Sequence, residues 1–323
     1  MRLPRPAFVT TAFVLLLSAA AYSSGAKSSG TSSSVKGYLG AWDLTLKAPD
    51  REYPSWLELR EEEGKLQARM VGRWGNARPL PKVELANGRL TLVSPKEEEG
   101  RKDDMVFEGK LSGRILTGTT TGPDGTPWTW IGRRAPGLKR KHPPTWGKPV
   151  QLFDGNDLAG WRMDTPGSTT GWKVENRTLV SPEHGPDLIN DSKFEDFKLH
   201  IEFNCAPDSN SGVYLRGRYE VQIEDDSIHE PASHHTGGVY GFLAPEPEMP
   251  RTPGEWQSFD ITLVGRTVTV VQNGRTVIDQ QEIPGITGGA LDSHEELPGP
   301  IYLQGSEKGH VAYRNIVVTP ATD

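Results

Sequence analysis

The sequence predicts an all-β protein, in which a small antiparallel β-barrel or sandwich precedes a larger sandwich of two sheets. Three observations support this class. Apolar and polar residues alternate over short runs, Asn-Gly and Asp-Gly pairs mark hairpin turns, and no segment shows the period of a long helix. The chain has 323 residues, of which 35% are hydrophobic, so it is large enough to bury the cores of two domains.

The N-terminus has the parts of a secretory signal peptide, which we assign to residues 1–26. Arg2 and Arg5 precede an apolar run at 7–17 and the small residues 18–21, and a Ser/Gly-rich linker follows at 27–35. The run is shorter than the ~20 residues of a membrane span, so no integral span is expected in the mature chain. We therefore expect export to a periplasmic or extracellular location.

Cysteine and charge content exclude several classes of protein. Cys205 is the single cysteine, so the chain forms no internal disulfide, and no cysteine follows the apolar run where a lipid anchor would be attached. The net charge is −6 and the basic residues are scattered, which argues against a nucleic acid partner on electrostatic grounds.

Residues 36–134 form the first predicted domain, which is small and all-β. Its alternating runs lie at 42–46, 56–59, 65–71, 89–93, 105–109, 115–119 and 128–131, and Asn87-Gly88 and Asp124-Gly125 are hairpin dipeptides. The pattern is similar to small lipocalin-like barrels, and nothing in it predicts chemistry. A basic, Pro-rich stretch at 135–147 is interpreted as a solvated linker.

Residues 148–320 form the second predicted domain, a two-sheet sandwich. Asn273-Gly274 joins two of its strands, and the alternating runs are 171–175, 178–180, 197–203, 212–215, 219–223, 256–264, 267–272, 276–279, 301–304 and 311–318.

The segment 210–226 is the most informative part of this domain. Val213, Leu215, Val221 and Ile223 alternate with polar residues, so one face of a strand pair is apolar and packs, and the other carries hydrogen-bonding groups. That polar face holds Tyr214, Arg216, Glu220 and Gln222. A solvated sheet face with an Arg216–Glu220 ion pair is an equally good interpretation of the pattern alone.

An ordered set of motifs resembles the 3-keto-disaccharide hydrolase family. The motifs include Leu-Phe-Asp-Gly-Asn-Asp-Leu-Ala-Gly-Trp at 152–161, Asn-Ser-Gly-Val-Tyr-Leu-Arg-Gly at 210–217, Tyr-Glu-Val-Gln-Ile at 219–223, Pro-Gly-Glu-Trp-Gln at 253–257 and Gly-Pro-Ile-Tyr-Leu-Gln at 299–304. The resemblance implies a concanavalin-like jelly roll, related in fold to family-16 glycoside hydrolases. It also implies action on an oligosaccharide or glycoside whose sugar carries a ketone at C3.

That ketone acidifies the hydrogen at C2, so elimination at C1–C2 followed by hydration gives net hydrolysis. The chemistry needs a base, an enolate stabiliser and help for the leaving group. The resemblance favours Glu220 as base or metal ligand, with Tyr214, Arg216 and Gln222 binding the sugar.

The following loop supplies further candidates. His235 is the predicted acid or base, because it is the nearest of three loop histidines to Tyr240, a predicted substrate contact. The carboxylates and histidines of this region are numerous enough to bind a divalent cation, and Glu220 and Asp225 are the candidate ligands. The spacing matches no closed zinc pattern, so the identity of any cofactor is left open.

Near the C-terminus, Gln304 and Arg314 are predicted substrate contacts, whereas Trp256 is expected to pack. The family commonly has a histidine just after the Leu-Gln pair, and this chain has His310 six residues after Gln304 instead. Whether His310 replaces the family histidine is therefore open.

Two other functions compete with the 3-keto-glycoside enzyme. A non-catalytic carbohydrate-binding jelly roll fits the same fold. A direct glycosidase like the family-16 enzymes fits less well, because Glu220 and Glu224 lie about 13 Å apart along a strand, whereas a retaining pair needs about 5–5.5 Å.

Overall fold

The computed structural model describes residues 35–72, 75–96, 103–123, 125–164, 171–225, 229–250 and 252–322. The predicted signal peptide and all but the last residue of the Ser/Gly-rich linker lie outside the described residues. No helix within the described ranges has the length and apolar character needed to cross a membrane.

The first domain is a single antiparallel sheet of nine strands in the order β4-β3-β2-β1-β9-β8-β7-β6-β5. Only Leu80 and Pro81 separate β4 from β5, so the two end strands lie near each other and the sheet curls into a barrel. The strands are β1 Gly40–Lys47, β2 Glu52–Glu62, β3 Lys65–Val71, β4 Ala77–Pro79, β5 Lys82–Ala86, β6 Arg89–Ser94, β7 Met105–Ser112, β8 Ile115–Thr121 and β9 Pro127–Arg134.

Packed side chains fill the interior of this barrel. Trp42, Leu57 and Phe107 are buried in one apolar cluster, and the ring of Trp130 joins them. Gly109 and Gly118 make room for that ring, because a Cβ at either position would lie 2.4 Å from it. The alternating pattern of the sequence thus arises from one inward apolar face in each strand.

The second domain consists of two antiparallel sheets. Seven strands of the larger sheet follow the order β12-β13-β22-β15-β18-β19-β20, with β10 paired to β22, and the smaller sheet has the order β11-β14-β21-β16-β17. The strands are β10 Val150–Gln151, β11 Trp161–Met163, β12 Lys173–Glu175, β13 Thr178–Ser181, β14 Leu188–Phe194, β15 Phe197–Cys205, β16 Asn210–Leu215, β17 Tyr219–Glu224, β18 Gln257–Val264, β19 Thr267–Gln272, β20 Arg275–Glu282, β21 Gly299–Leu303 and β22 Val311–Pro320, with one turn of 3₁₀ helix at Ala232–His234.

The two sheets pack face to face around one apolar core. Val213, Val221 and Ile301 of the smaller sheet meet residues such as Ile201 and Phe259 of the larger one. The prediction of an all-β fold with a two-sheet jelly-roll sandwich is confirmed. Hairpin turns also agree with the sequence, because both residues of Asn87-Gly88 and of Asn273-Gly274 have positive φ, as a type I′ turn requires. Asp124 lies outside the described residues.

The stretch predicted to be a solvated linker lies against the second domain. Arg140 forms an ion pair with Asp196 at 3.0 Å, and Trp146 makes an isolated β-bridge with Ala321. The barrel itself also contacts the second domain, because Trp56 and Val71 belong to the core cluster of that domain rather than to the barrel interior.

Candidate active site

A cavity of about 330 Å³ opens on the outer face of the smaller sheet, opposite the core. Strands β16, β17 and β21 form its floor, and loops from both domains form its walls. The lining residues are Gly75, His184, Gly185, Asp187, Asn210, Tyr214, Glu220, Gln222, Tyr240, Gly288, Gly289, Tyr302, Gln304, Gly305, Ser306 and Glu307.

A buried carboxyl group and a tyrosine form the first polar pair of the cavity. Tyr214 and Glu220 are direct neighbours across β16 and β17, and the Tyr214 hydroxyl lies 2.9 Å from Glu220 Oε2 and 2.8 Å from the Gly288 carbonyl. Burial raises the pKa of Glu220 well above its ordinary value, and the negative charges of Asp187 and Glu307 add to the rise, against the opposing hydrogen bond of Tyr214.

The hydrogen bonds around Tyr214 agree with a neutral Glu220. A tyrosine hydroxyl has one proton to donate, and the Gly288 carbonyl can only accept. When Tyr214 donates to that carbonyl, the contact with Glu220 is a hydrogen bond only if Glu220 supplies the proton. A protonated Glu220 therefore satisfies both contacts at once.

A second carboxyl and tyrosine pair lies beside the first. The Tyr302 hydroxyl donates to Asp187 Oδ2 at 2.5 Å, and the Gly305 N–H donates to Oδ1 at 2.9 Å. Burial raises the pKa of Asp187 to about 6, against the opposing effect of these two hydrogen bonds. The rings of Tyr302 and Tyr214 stack with centroids 4.2 Å apart, so the two pairs form one continuous polar wall.

Two amide side chains present oxygen atoms at the cavity. Gln222 is 1% exposed, and its Nε2 donates to Glu224 at 3.2 Å. The buried Oε1 atoms of Gln222 and Gln304 have no hydrogen-bond partner among the described residues. Because an unpaired buried acceptor is costly, these oxygens are suited to receive hydrogen bonds from a ligand.

Close backbone approach shapes the site at two glycines. A Cβ at Gly212 would lie 2.2 Å from Glu220 Oε1, so the carboxyl group rests directly on the backbone of β16. Gly289 has a φ of +73°, and a Cβ there would lie 2.4 Å from the Tyr214 hydroxyl oxygen. Only glycine leaves room for this pair in its observed position.

The structure brings five of the nine predicted site residues to this one cavity, namely Tyr214, Glu220, Gln222, Tyr240 and Gln304. The alternation along β17 places Glu220 and Gln222 on the same outer face. The other four, Arg216, Asp225, His235 and Arg314, lie elsewhere.

Arg216 lies away from the cavity because it belongs to the β16–β17 turn. Its φ of +52° breaks the strand alternation, and its buried guanidinium donates to the Tyr219 hydroxyl and the Gly265 carbonyl. Arg314 donates to Glu202 at 2.6 Å and covers the ring of Trp256, which is 37% exposed.

His235, the predicted acid or base, does not line the cavity. His235 Nδ1 lies 2.8 Å from Glu248, outside the cavity, whereas the buried ring of His234 stacks on Tyr240 with centroids 4.3 Å apart. The Ala232–His234 helical turn points the two adjacent rings in different directions. His310 is exposed and does not line the cavity either, where Glu307 lies instead.

The two predicted metal ligands do not converge. Asp225 accepts the Asp208 N–H at 3.1 Å and lies beside Cys205, away from the cavity that Glu220 lines. Across the described ranges, no group of three or more His, Cys, Asp or Glu side chains could hold a metal ion.

Sequence reasoning missed Asp187, Tyr302 and the barrel residue Gly75. Tyr302 could have been found, because it lies in β21 two residues before Gln304, which directly follows that strand, so the two side chains are expected on the same face. Asp187 lies in a Pro-Asp-Leu stretch without periodic context, and Gly75 belongs to a domain whose pattern predicts no chemistry.

Comparison with known proteins now decides the family. The model of the family described as 3-keto-alpha-glucoside-1,2-lyase-like domain matches residues 148–319, which is the second domain except for its last residue. The chain belongs to this family. The cavity described above thus lies within the family domain, apart from the contribution of Gly75.

Individual relatives are more distant. A 3-keto-disaccharide hydrolase from Bacteroides thetaiotaomicron is 22% identical, over 40% of this chain and 57% of that protein, so the chain spans little more than half of that relative. Two solved structures of provisionally named glycosyl hydrolases from Parabacteroides distasonis are 27% and 21% identical, with TM-scores of 0.44 and 0.45. They cover 56% and 54% of this chain and 92% and 94% of their own.

Proposed function

We propose that this protein cleaves glycosides whose sugar carries a ketone at C3, by elimination across C1–C2 followed by hydration. Family membership supports the substrate class. The observation that carries the mechanism is that two buried carboxyl groups, Glu220 and Asp187, line one cavity, each against a tyrosine hydroxyl. Burial raises the pKa of both groups, to about 6 for Asp187, and two carboxyl groups in different surroundings on one site are suited to divide the roles of acid and base.

Asp187 is the proposed base. Above pH 6 its carboxylate is mostly ionised, and the Tyr302 hydroxyl and Gly305 N–H fix its orientation. It removes the C2 proton that the C3 ketone has acidified. A base with a pKa near the working pH is well matched to this step.

Glu220 is the proposed acid, in place of the base or metal ligand expected from the sequence. Its proton passes to the departing glycosidic oxygen as the C1–O bond breaks, which leaves a C1=C2 double bond next to the ketone and releases an alcohol. In the second step Glu220 takes a proton from water as the oxygen adds to C1, and Asp187 returns a proton to C2. Both carboxyl groups end in their starting states, so the cycle consumes only water.

Substrate binding is assigned to the amide groups and the tyrosines. Gln222 Oε1 and Gln304 Oε1 would accept hydrogen bonds from sugar hydroxyls, which would pair these buried oxygens. Tyr240, half-buried at the cavity edge, supplies a ring against the sugar. The volume of about 330 Å³ is at the lower end for small-molecule sites, which favours one sugar ring over a long oligosaccharide.

The test is a matched pair of substrates. The purified full-length protein is incubated with a 3-keto-glucoside and with the same glucoside unoxidised, and the released alcohol is quantified. We expect release from the keto substrate alone, with a loss of at least 100-fold in Glu220→Gln and in Asp187→Asn. Cleavage of the unoxidised glucoside would favour a direct glycosidase, and saccharide binding without any cleavage would favour a non-catalytic module.

We also propose that the protein is exported, either to the periplasm or out of the cell. The proposal rests on the signal-peptide pattern of residues 1–26. N-terminal sequencing of the mature protein from cell fractions tests it, and an intact Met1 on a cytoplasmic protein would contradict it.

A further inference from the structure

We infer that the N-terminal barrel helps to form the active site, because it positions the loop of residues 283–295, which forms one wall of the cavity. This segment is called the wall loop below. The inference deepens the proposed function and rests on it for its kinetic consequence, although the structural claim can be tested without any substrate.

The wall loop holds the acid pair in place. The Thr287 N–H and Leu291 N–H donate to the carbonyls of Arg218 and Gly217 at 2.9 and 2.8 Å, which ties the loop to the β16–β17 turn. Thr287 Oγ1 also accepts the N–H of Glu220 at 3.0 Å. Since the Gly288 carbonyl accepts the Tyr214 proton, a shift of this loop would disturb both members of the pair.

The barrel contacts the wall loop along its length. Trp56 of β2 is fully buried and lies over Gly285, where a Cβ would come 2.1 Å from its Nε1. Gly75 lines the cavity itself, and its carbonyl oxygen would lie 2.2 Å from a Cβ at Gly288. At the far end, Thr45 Oγ1 lies 2.6 Å from Ser293 Oγ.

A buried polar network joins the same two parts. Asp43 of β1 is 5% exposed, and its carboxyl group lies beside that of Glu295, the last residue of the wall loop. Glu295 is fully buried and accepts from the Tyr219 hydroxyl at 2.6 Å and from Arg266 at 3.2 Å. Because Tyr219 directly precedes Glu220 in β17, the network runs from the barrel to the residue beside the acid.

The barrel also touches the other wall of the cavity. Trp56 makes an edge contact with Phe242, at 5.2 Å between ring centroids, and Asn76 packs so closely on Gly241 that a Cβ there would lie 2.5 Å from it. Gly241 follows Tyr240, which lines the cavity. Both walls are therefore fixed from the barrel side, and Trp56 is assigned as a positioning residue.

The test uses the full-length protein with Trp56→Ala, compared with Val106→Ala, which removes a 44% exposed side chain of β7. Hydrogen exchange followed by mass spectrometry reports on peptides from the wall loop and from barrel strands β7 and β8. We expect at least tenfold faster exchange in the wall loop of Trp56→Ala, with barrel peptides unchanged and with no effect of Val106→Ala.

Steady-state kinetics on a 3-keto-glucoside supply the second readout. We expect kcat to fall at least tenfold in Trp56→Ala at a temperature where the protein is fully folded, because small displacements of catalytic groups lower the reaction rate strongly. Wild-type exchange in the wall loop together with wild-type kcat would overturn the inference. If the wild-type protein cleaves no such substrate, the proposed function fails and the exchange result still decides the role of the barrel.

A milder variant covers the case in which Trp56→Ala does not fold. Thr45→Val keeps the side-chain shape and removes only the hydrogen bond to Ser293. Faster exchange at the C-terminal end of the wall loop supports the inference, and unchanged exchange there overturns it.

Discussion

Replacing Glu220 by Gln should change how the stability of the protein depends on pH. The folded protein keeps Glu220 protonated well above its ordinary pKa, whereas the unfolded chain releases that proton near pH 4.3. Between these two values the folded state holds one proton more than the unfolded state. The free energy of unfolding of the wild type therefore falls by about 1.4 kcal/mol for each pH unit, a loss that the glutamine variant lacks.

The expected magnitude follows from this slope. Between pH 5 and pH 7 the stability of Glu220→Gln relative to wild type should increase, by at most about 1.4 kcal/mol for each pH unit. Asp187 and Asp43, which also have raised pKa values, are present in both proteins, so their direct contributions cancel in the difference. Glutamine has nearly the size of the glutamate it replaces, so the close contact with Gly212 is kept.

Urea unfolding at pH 5, 6 and 7, followed by circular dichroism, measures the difference. Tyr214→Phe is the matched control, because it removes a neighbouring hydroxyl and leaves the titrating carboxyl group in place. Its stability relative to wild type should change little over the same range. If the difference between Glu220→Gln and wild type is constant from pH 5 to pH 7, Glu220 is ionised in the folded protein and its role as acid is refuted.

Three further predictions concern single residues. For Asp187→Asn we expect kcat/KM on a 3-keto-glucoside to fall at least 100-fold at pH 7.5. The wild-type kcat/KM should rise with pH through about 6, the pKa of Asp187, and a wild-type profile that is flat from pH 5 to 7.5 would contradict the assignment of Asp187 as the base. Gly212→Ala places a Cβ 2.2 Å from Glu220 Oε1, so the same assay should show at least a tenfold loss of kcat, and wild-type activity would show that the carboxyl position is unimportant. Burial beside Glu295 raises the pKa of Asp43 to about 9. Asp43→Asn should therefore gain stability relative to wild type as the pH rises from 5 to 8, as measured by urea unfolding. If no such gain is measured, Asp43 is ionised in the folded protein.

Strand periodicity made much of the fold and the floor of the site predictable. The alternation of Tyr214 in β16 and of Glu220 and Gln222 in β17 specified one face of the sheet, and the structure places all three on the same cavity. The same rule failed for Arg216, because the left-handed backbone of the turn ends the alternation one residue earlier than the pattern suggests.

Loop residues were less predictable because no period governs them. The directions of the His234 and His235 side chains depend on a single turn of 3₁₀ helix, which sends the first ring onto Tyr240 and the second toward Glu248. Asp187 reaches the cavity only through the fold of the smaller sheet. Gly75 arrives from the other domain, and sequence patterns carry no information about how two domains pack.

The central claim is that cleavage proceeds through removal and return of the C2 proton. The most direct measurement is turnover of a 3-keto-glucoside in deuterium oxide, with the sugar product reduced at once and examined by mass spectrometry and NMR. Elimination and hydration predict one deuterium at C2, delivered from the exchanged carboxyl group of Asp187. A product that keeps its original hydrogen at C2, together with no primary isotope effect on kcat/KM for a substrate deuterated at C2, would contradict the account and indicate direct displacement at C1.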